Sequence, residues 1–442
     1  MLPVESAIRA AAKRAEVDSF DALVTRSEQI AARFDDAPVV QSGIASSVVV
    51  RVWLSPDRIG VARTSGTGEV ELNQAFLAAR DAAAIGEPVP EAPQLLEGRT
   101  VDSSAVLGPD QVEDVQKMIR ILEDSRAAAF RVDSRITHVP YHGVTSSRNF
   151  RTRVSSIGDV QHCEWQQSSH WLKAQSSVDG RRGRSWVDAS HGRRISDLET
   201  DALADRVARH VVRTLDYQRA ESAVWPVVMT GETFVDLVRG FASVFSGVRL
   251  AEGRSLLQTR EIDSVIASRV LSIRCDANHP QNLIGSRFDD EGSVRRPLSL
   301  VEDGKLSGFF QTCGSARKTG GIAMGHAKLG AKLEVAPNFL VVSNRDASTS
   351  VPKWGRHIRI DGLHAFHAGA NQAEGTFSLP ISGWIVEEDG RRVSIEAATV
   401  SGDFLQVLES IVHVGSEDGT NKVSIDGVSP DVWISGLSIT GE

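Results

Sequence analysis

Cysteine is scarce in this chain. Cys163, Cys275 and Cys313 are widely spaced and odd in number. That excludes a disulfide framework and a zinc-ribbon spacing, and leaves buried, inert thiols in a reducing cytoplasm as the expectation. No apolar run approaches the roughly 18 residues of a membrane-spanning helix, so no membrane partner is expected. The first residues lack the basic-then-apolar layout of an export signal, and Glu5 and Glu16 argue against a transit peptide, so the expected location is cytoplasmic. Positive charge is in deficit: the net charge is −8. Nucleic-acid binding rests on phosphate neutralisation by clustered Lys and Arg, so nucleic acid is not an expected partner. The one basic run, DGRRGRSW (179–186), reads as an exposed hairpin turn. The metallopeptidase motif H-E-x-x-H is also missing from the whole chain.

What is present is ordinary globular composition, 41% hydrophobic and 24% charged over 442 residues. This length suggests two or three domains. A helix is expected near VESAIRAAAKRA, then two short strands within FDALVTRSEQIAARFDD. SSVVVRVWL (46–54) and IGVARTS (59–65) read as strands joined by the turn SPDR. Small apolar residues at helical spacing predict a helix over 71–86, EPVPEAP (87–93) a loop, and a further helix is expected over 109–130. Residues 131–192 alternate as a meander of strands. Ser196 and Glu199 have the spacing of a capping box opening a helix over 197–217. After RAESA the chain is mostly strands, with hairpins turning on Asp303-Gly304 and Asp389-Gly390, where both turn positions should take positive φ. The expected fold is α+β in two domains: an N-terminal helix/strand domain (1–220) and a C-terminal, mostly antiparallel β domain (222–442).

MTGETFVDLVRGFASVFSG (229–247) reads as one amphipathic helix. Phe234, Leu237, Val238, Phe241 and Phe245 form its apolar stripe, with Glu232, Asp236, Arg239 and Ser243 opposite. Asp236 and Arg239 are spaced for a helical ion pair. The tightest histidine pairs, His138/His142 and His364/His367, each lack the further ligands of a zinc site. Ser315 and Lys318 in GSARKTGG imitate penicillin-binding motifs, but one lysine would have to serve two motifs and no Ser-Asp-Asn accompanies them. Asp289, Asp290 and Glu291 are consecutive and cannot all face one point on an extended chain, so they read as a turn. The residues by themselves give no assembled catalytic set.

Several segments together resemble the TldD/PmbA family, in its TldE (PmbA) branch. They are FDDEGSVRRPLSLVEDGKLSGFFQTCGSARKTG (288–320), GLHAFHAGANQAEGTFSLPISGWIVEEDGR (362–391), GDFLQVLESIVHVGSE (402–417) and GVSPDVWISGLSITG (427–441). The resemblance implies a heterodimeric cytoplasmic metalloprotease that cleaves peptides. Its TldD-like subunit carries zinc or iron on an H-E-x-x-x-H helix plus a C-terminal cysteine. Laid on that helix, Arg239 falls at the first histidine, Gly240 at the glutamate and Val244 at the second histidine. Residues 222–274 contain no histidine and 414–442 no cysteine.

The resemblance therefore implies a TldE-like, non-catalytic subunit with no metal and no catalytic residue of its own. It would complete a peptide chamber around a TldD-like partner and help to stabilise that partner. GTFSLPISG (375–383) is the expected peptide-lining strand, with Thr376, Ser378 and Ser382 facing the peptide and Pro380 suiting a sheet edge. Two other readings remain open: an interaction protein that modulates another complex alone, and a hydrolase with a divergent site around His364, His367 and Glu374.

Overall fold

A computed structural model describes residues 3–35, 37–88, 114–158, 160–183, 185–329, 332–344, 350–416 and 424–441. Most of the loop expected at 87–93, the start of the helix expected from 109, and Arg184 lie outside the described residues.

The first layer is a seven-stranded sheet. Its strands are β1 (Phe20–Phe34), β2 (Pro38–Ser55), β3 (Arg58–Thr64), β4 (Ile136–Ser155), β5 (Gln161–Val178), β6 (Arg181–Arg182) and β7 (Trp186–Gly192). They run in the order β3-β2-β1-β4-β5-β6, with β7 also on β5. β1 is one strand of 15 residues, not two short ones. It contains no glycine or proline to turn the chain, and β2 and β4 pair with it along its length.

Such long strands present two apolar patches on one face. The first packs under α1 (Pro3–Arg14) and α2 (Glu69–Ile85), around Ile8, Phe20, Val50, Leu72 and Phe76. The second packs under α3 (Val115–Val132) and α4 (Thr200–Arg213), around Met118, Leu122, Leu172, Leu203 and Val207. The capping box expected at Ser196 does not form. Residues Ile195–Asp197 make a 3₁₀ turn whose Asp197 carboxylate accepts the Arg194 N–H (2.9 Å), and Ser190 Oγ takes the Glu199 N–H (2.9 Å). Ser190 Oγ thus holds the Glu199 N–H that the Ser196 hydroxyl would have taken, and the helix opens only at Thr200.

The second half is two sheets with a helix between them. The larger runs in the order His357–Leu363, Ala223–Met229, Val432–Gly441, Ala398–Asp403, Thr376–Val386, Arg392–Ile395, Tyr217–Gln218. Its pairs are mostly antiparallel; 357–363 with 223–229 and 392–395 with 217–218 are parallel. The smaller holds 298–302, 272–275 and 340–343 at its centre. One hydrophobic core joins both sheets. The α+β class follows directly from these layers.

Between the two sheets lies α5 (Gly231–Gly240), whose Phe234, Leu237 and Val238 are fully buried. Each such side chain contributes about 2 kcal/mol by leaving water. The helix does not run to 247. It ends at Gly240; Ala242–Phe245 is a 3₁₀ turn, and a new helix, Gly247–Ala251, starts under a Ser246 cap. Glycine in a helix costs about 1 kcal/mol relative to alanine, and Ser246 Oγ accepts the Arg249 N–H (3.3 Å) to open the next turn. The apolar stripe survives the break, since Phe241 and Phe245 remain fully buried.

Both hairpins form, by different turns. Asp303 and Gly304 both take positive φ (48° and 80°). In the second, only Gly390 does (φ 83°). There Glu387 N–H bonds Arg391 O and Gly390 N–H bonds Glu387 O (both 2.9 Å), so three residues close the loop and only the glycine needs the left-handed region. Among the described residues no helix is long and apolar enough to cross a membrane.

Candidate functional site

Thr230 caps α5 by accepting the Thr233 N–H (3.4 Å), so the helix starts straight from the strand 223–229. This carries Arg239 and Gly240 to its C-terminal end. Arg239 reaches out of the helix to Asp426, 2.9 Å away. Burial raises the Asp426 pKa, and the Arg239 charge opposes the shift. Beside Gly240 lies the ring of Phe366: a Cβ on residue 240 would sit 2.5 Å from Phe366 Cε1. The Gly240 carbonyl accepts a hydrogen bond from Gln372 Nε2 (2.8 Å). Val244 is buried in the core.

An arginine stays protonated, and glycine and valine carry no donor side chain. These three positions therefore do not fit a metal. Among the described residues, no three His, Cys, Asp or Glu side chains gather into a group able to hold one. That covers His364, His367 and Glu374. His364 Nε2 pairs with Ser382 Oγ at 2.7 Å, His367 is exposed in the short helix Phe366–Gly369, and Glu374 is exposed in the turn that follows. His138 lies exposed on β4, while His142, four residues on, is buried under the sheet with Phe34 stacked on it.

The strand Thr376–Val386 alternates, with Thr376, Ser378 and Pro380 exposed and Phe377 and Leu379 buried. Ser401 Oγ donates to Ser378 Oγ (3.0 Å). Ser382 is buried, on a different footing from the two exposed hydroxyls. The strand is not an edge. Strand 398–403 covers one flank, and 370–371 and then 357–363 cover the other. Pro380 is tolerated because its missing N–H falls where that second flank changes partner. A peptide can meet the exposed side chains here but cannot add as a strand.

The turn expected at Asp289, Asp290 and Glu291 is present, but all three acids are buried. They face the first sheet, where the i, i+2 spacing of Arg151 and Arg153 puts both guanidinium groups on one face of β4. Asp290 pairs with Arg151. Arg153 is fully buried and pairs with Asp21 (2.8 Å), as does Arg51 (2.5 Å). Gly292 takes φ 92° against the Arg153 guanidinium, where a Cβ would come within 2.6 Å. Asp289 accepts the backbone N–H groups of Glu291, Ser293 and Ala327 (2.9–3.0 Å). Glu291 accepts the Cys313 N–H (2.8 Å) through one oxygen, and its other oxygen is buried with no partner among the described residues. Burial, then the neighbouring Asp289, pushes the Glu291 pKa up to about 7. Burial also pushes the Cys313 thiol up to about 12, which makes it a poor nucleophile. Sequence reasoning missed this network. The signal was the run of three acids opposite two arginines two apart, but their pairing spans over 130 residues.

Residues 222–441 match the family described as the PmbA/TldA metallopeptidase C-terminal domain. Over 316 residues the chain is 22% identical to the metalloprotease PmbA of Escherichia coli O157:H7, covering 71% of this chain and 66% of that relative. The fold is similar to that of TldE from Thermococcus kodakarensis, with a TM-score of 0.83 at 18% identity over 98% of this chain and all of that one. It is similar also to a proposed modulator of a DNA gyrase from Thermotoga maritima MSB8, with a TM-score of 0.84 at 22% identity over 99% of each chain.

Proposed function

Starting from a chain that belongs to the TldD/PmbA family and is TldE-like, we propose that it is the non-catalytic subunit of a heterodimeric, cytoplasmic metalloprotease that cleaves peptides. The observation that carries this reading is the state of the α5 C-terminus. Where the family helix would hold its ligands and general base, this chain has an ion-paired arginine, a glycine against an aromatic ring, and a core valine. The TldD-like partner supplies zinc or iron, and with it the activated water.

This chain's own residues supply walls and rigidity. The exposed Thr376 and Ser378 offer hydroxyls to a passing peptide from a strand whose backbone is held on both flanks. Such a strand cannot shift as the substrate moves. The buried network around Asp21 and Arg153 fixes the first sheet to the loop at 289–292. The experiment is purification from the native host, followed by elemental analysis of the isolated chain. The expected result is a copurifying H-E-x-x-x-H protein and well under one zinc or iron per molecule in this chain by itself. A full metal equivalent in the isolated chain, lost on changing His364 or His367, would favour the divergent hydrolase. A second reading, a modulator that acts alone, is prompted by the solved relative described as a proposed gyrase modulator; stable function without any copurifying partner would favour it.

A further inference from the structure

A cavity of about 670 Å³ opens between α4 and the larger sheet of the second half. Arg206, Arg209 and Arg213 line it from α4, and Arg359, Arg392 and Trp384 from the sheet. The three helix arginines stand at i, i+3 and i+7, which puts them on one face. In a chain of net charge −8, this wall carries five arginines against two aspartates, Asp205 and Asp361.

Three of the nearby acids are already engaged in ion pairs. Asp205 holds Arg209 (2.7 Å), Asp188 holds Arg206 (3.2 Å) and Asp431 holds Arg359 (2.6 Å). Asp361 accepts the Trp384 indole N–H (2.7 Å) through one oxygen, its other oxygen has no partner among the described residues, and its single charge is left to face two further arginines. Among the described residues neither Arg213 nor Arg392 has an ion pair within 4.0 Å, and both face the same cavity. The guanidinium groups sense one another: burial, then the charges of Arg359 and Arg213, holds Arg392 below the usual arginine range. Like charges brought together across a cavity lower its energy by taking in an anion, and guanidinium matches a carboxylate with two parallel hydrogen bonds.

We propose that this cleft is an anion-binding subsite whose occupant is a carboxylate-rich peptide segment. The cavity adjoins a second space of about 540 Å³ that shares Arg206, His210, Thr230, Arg359 and Asp361 with it. Asp188, Glu232, Asp361 and Asp431 line that second space against Arg206 and Arg359, so it is net acidic and the acidic end of a ligand is drawn toward Arg213 and Arg392. Two joined chambers hold several residues of chain, more than one small anion fills. Trp186 stacks on His210 at 4.1 Å and supplies an apolar wall between them. The choice of a peptide as occupant rests on the proposed function; the anion site itself rests on the arginines.

The test is a binding titration of the full chain alone with a labelled oligoglutamate peptide at low salt. Oligoglutamine serves as the neutral control and inorganic phosphate as competitor. Arg213 and Arg392 keep much of their surface in solvent, Arg392 being only partly desolvated, so the Arg213→Ala/Arg392→Ala variant should keep the wild-type melting temperature. The expected result is oligoglutamate binding weakened about tenfold or more in that variant and weakened less in the double lysine variant, which keeps the charge but not the paired hydrogen bonds. Oligoglutamate binding no better than oligoglutamine, or unchanged binding in the alanine variant, overturns the site. Binding of phosphate without binding of oligoglutamate overturns the peptide assignment. Because no partner subunit is present, failure of the heterodimer reading leaves this measurement standing.

Discussion

The Phe366 ring stands against Gly240 so closely that residue 240 has no room for a side chain: its Cβ would meet Cε1 at 2.5 Å. Restoring the family's glutamate by Gly240→Glu should therefore not restore a metal site. Overpacking at such a contact costs about 1–3 kcal/mol. The variant should melt at a lower temperature, and adding Phe366→Ala should recover part of the loss. A Gly240→Glu variant as stable as wild type would mean that the ring moves freely and does not plug the site.

Asp21 carries two buried arginines at once, Arg51 and Arg153. Those two charges hold its carboxyl below the usual range, against the burial that opposes them. Replacing it with alanine leaves both guanidinium groups buried without their carboxylate, a change that costs about 3–5 kcal/mol when a buried pair is broken. Urea denaturation of Asp21→Ala should show a loss of that order. A loss under about 1 kcal/mol, the range of exposed pairs, would show that water reaches the arginines.

Glu291 makes a pH prediction with a definite sign. Its folded pKa of about 7 lies above the ordinary 4.5. Its contribution is therefore fully present below pH 4.5 and is lost as pH rises through 7. His170 acts in the opposite sense. Burial lowers its pKa from 6.5 to about 4, so its contribution is present above pH 6.5 and lost as pH falls toward 4. The two overlap, so the readout is the difference between wild type and Glu291→Gln across pH 4.5–8. The variant should gain stability relative to wild type as pH rises, by about 3 kcal/mol at most. A difference that does not change with pH would mean that Glu291 ionises normally.

Ser378 is exposed on a strand paired on both sides. Ser378→Trp should leave the fold and the heterodimer intact while impairing peptide cleavage by the assembled enzyme. Gel filtration checks the assembly and a peptidase assay the activity. Full activity in an intact heterodimer would remove this strand from the peptide's path.

Where local rules decide, the sequence was readable. The apolar stripe of Phe234, Leu237 and Val238 and the Asp303-Gly304 turn follow from side-chain periodicity and φ preference alone. Local rules failed where a distant group competed. Gly240 ended a helix that looked continuous, and Ser190 took the Glu199 N–H that Ser196 was expected to cap. Pro380 suggested an edge strand, yet it sits in the sheet interior at a change of partner. At the candidate site, the identities of Arg239, Gly240 and Val244 could be read directly, but Asp426 and Phe366, which occupy the space around them, are remote in sequence. The arginine cleft needs α4 and the strands at 359 and 392 to meet, which no single segment reveals.

The central claim is that catalysis belongs to a partner. The most direct measurement is peptidase activity of this chain alone, of the TldD-like partner alone, and of the two mixed. The account predicts no cleavage by this chain alone and full cleavage only in the mixture. Cleavage of peptides by this chain alone, or equal cleavage by the partner without it, would contradict the account.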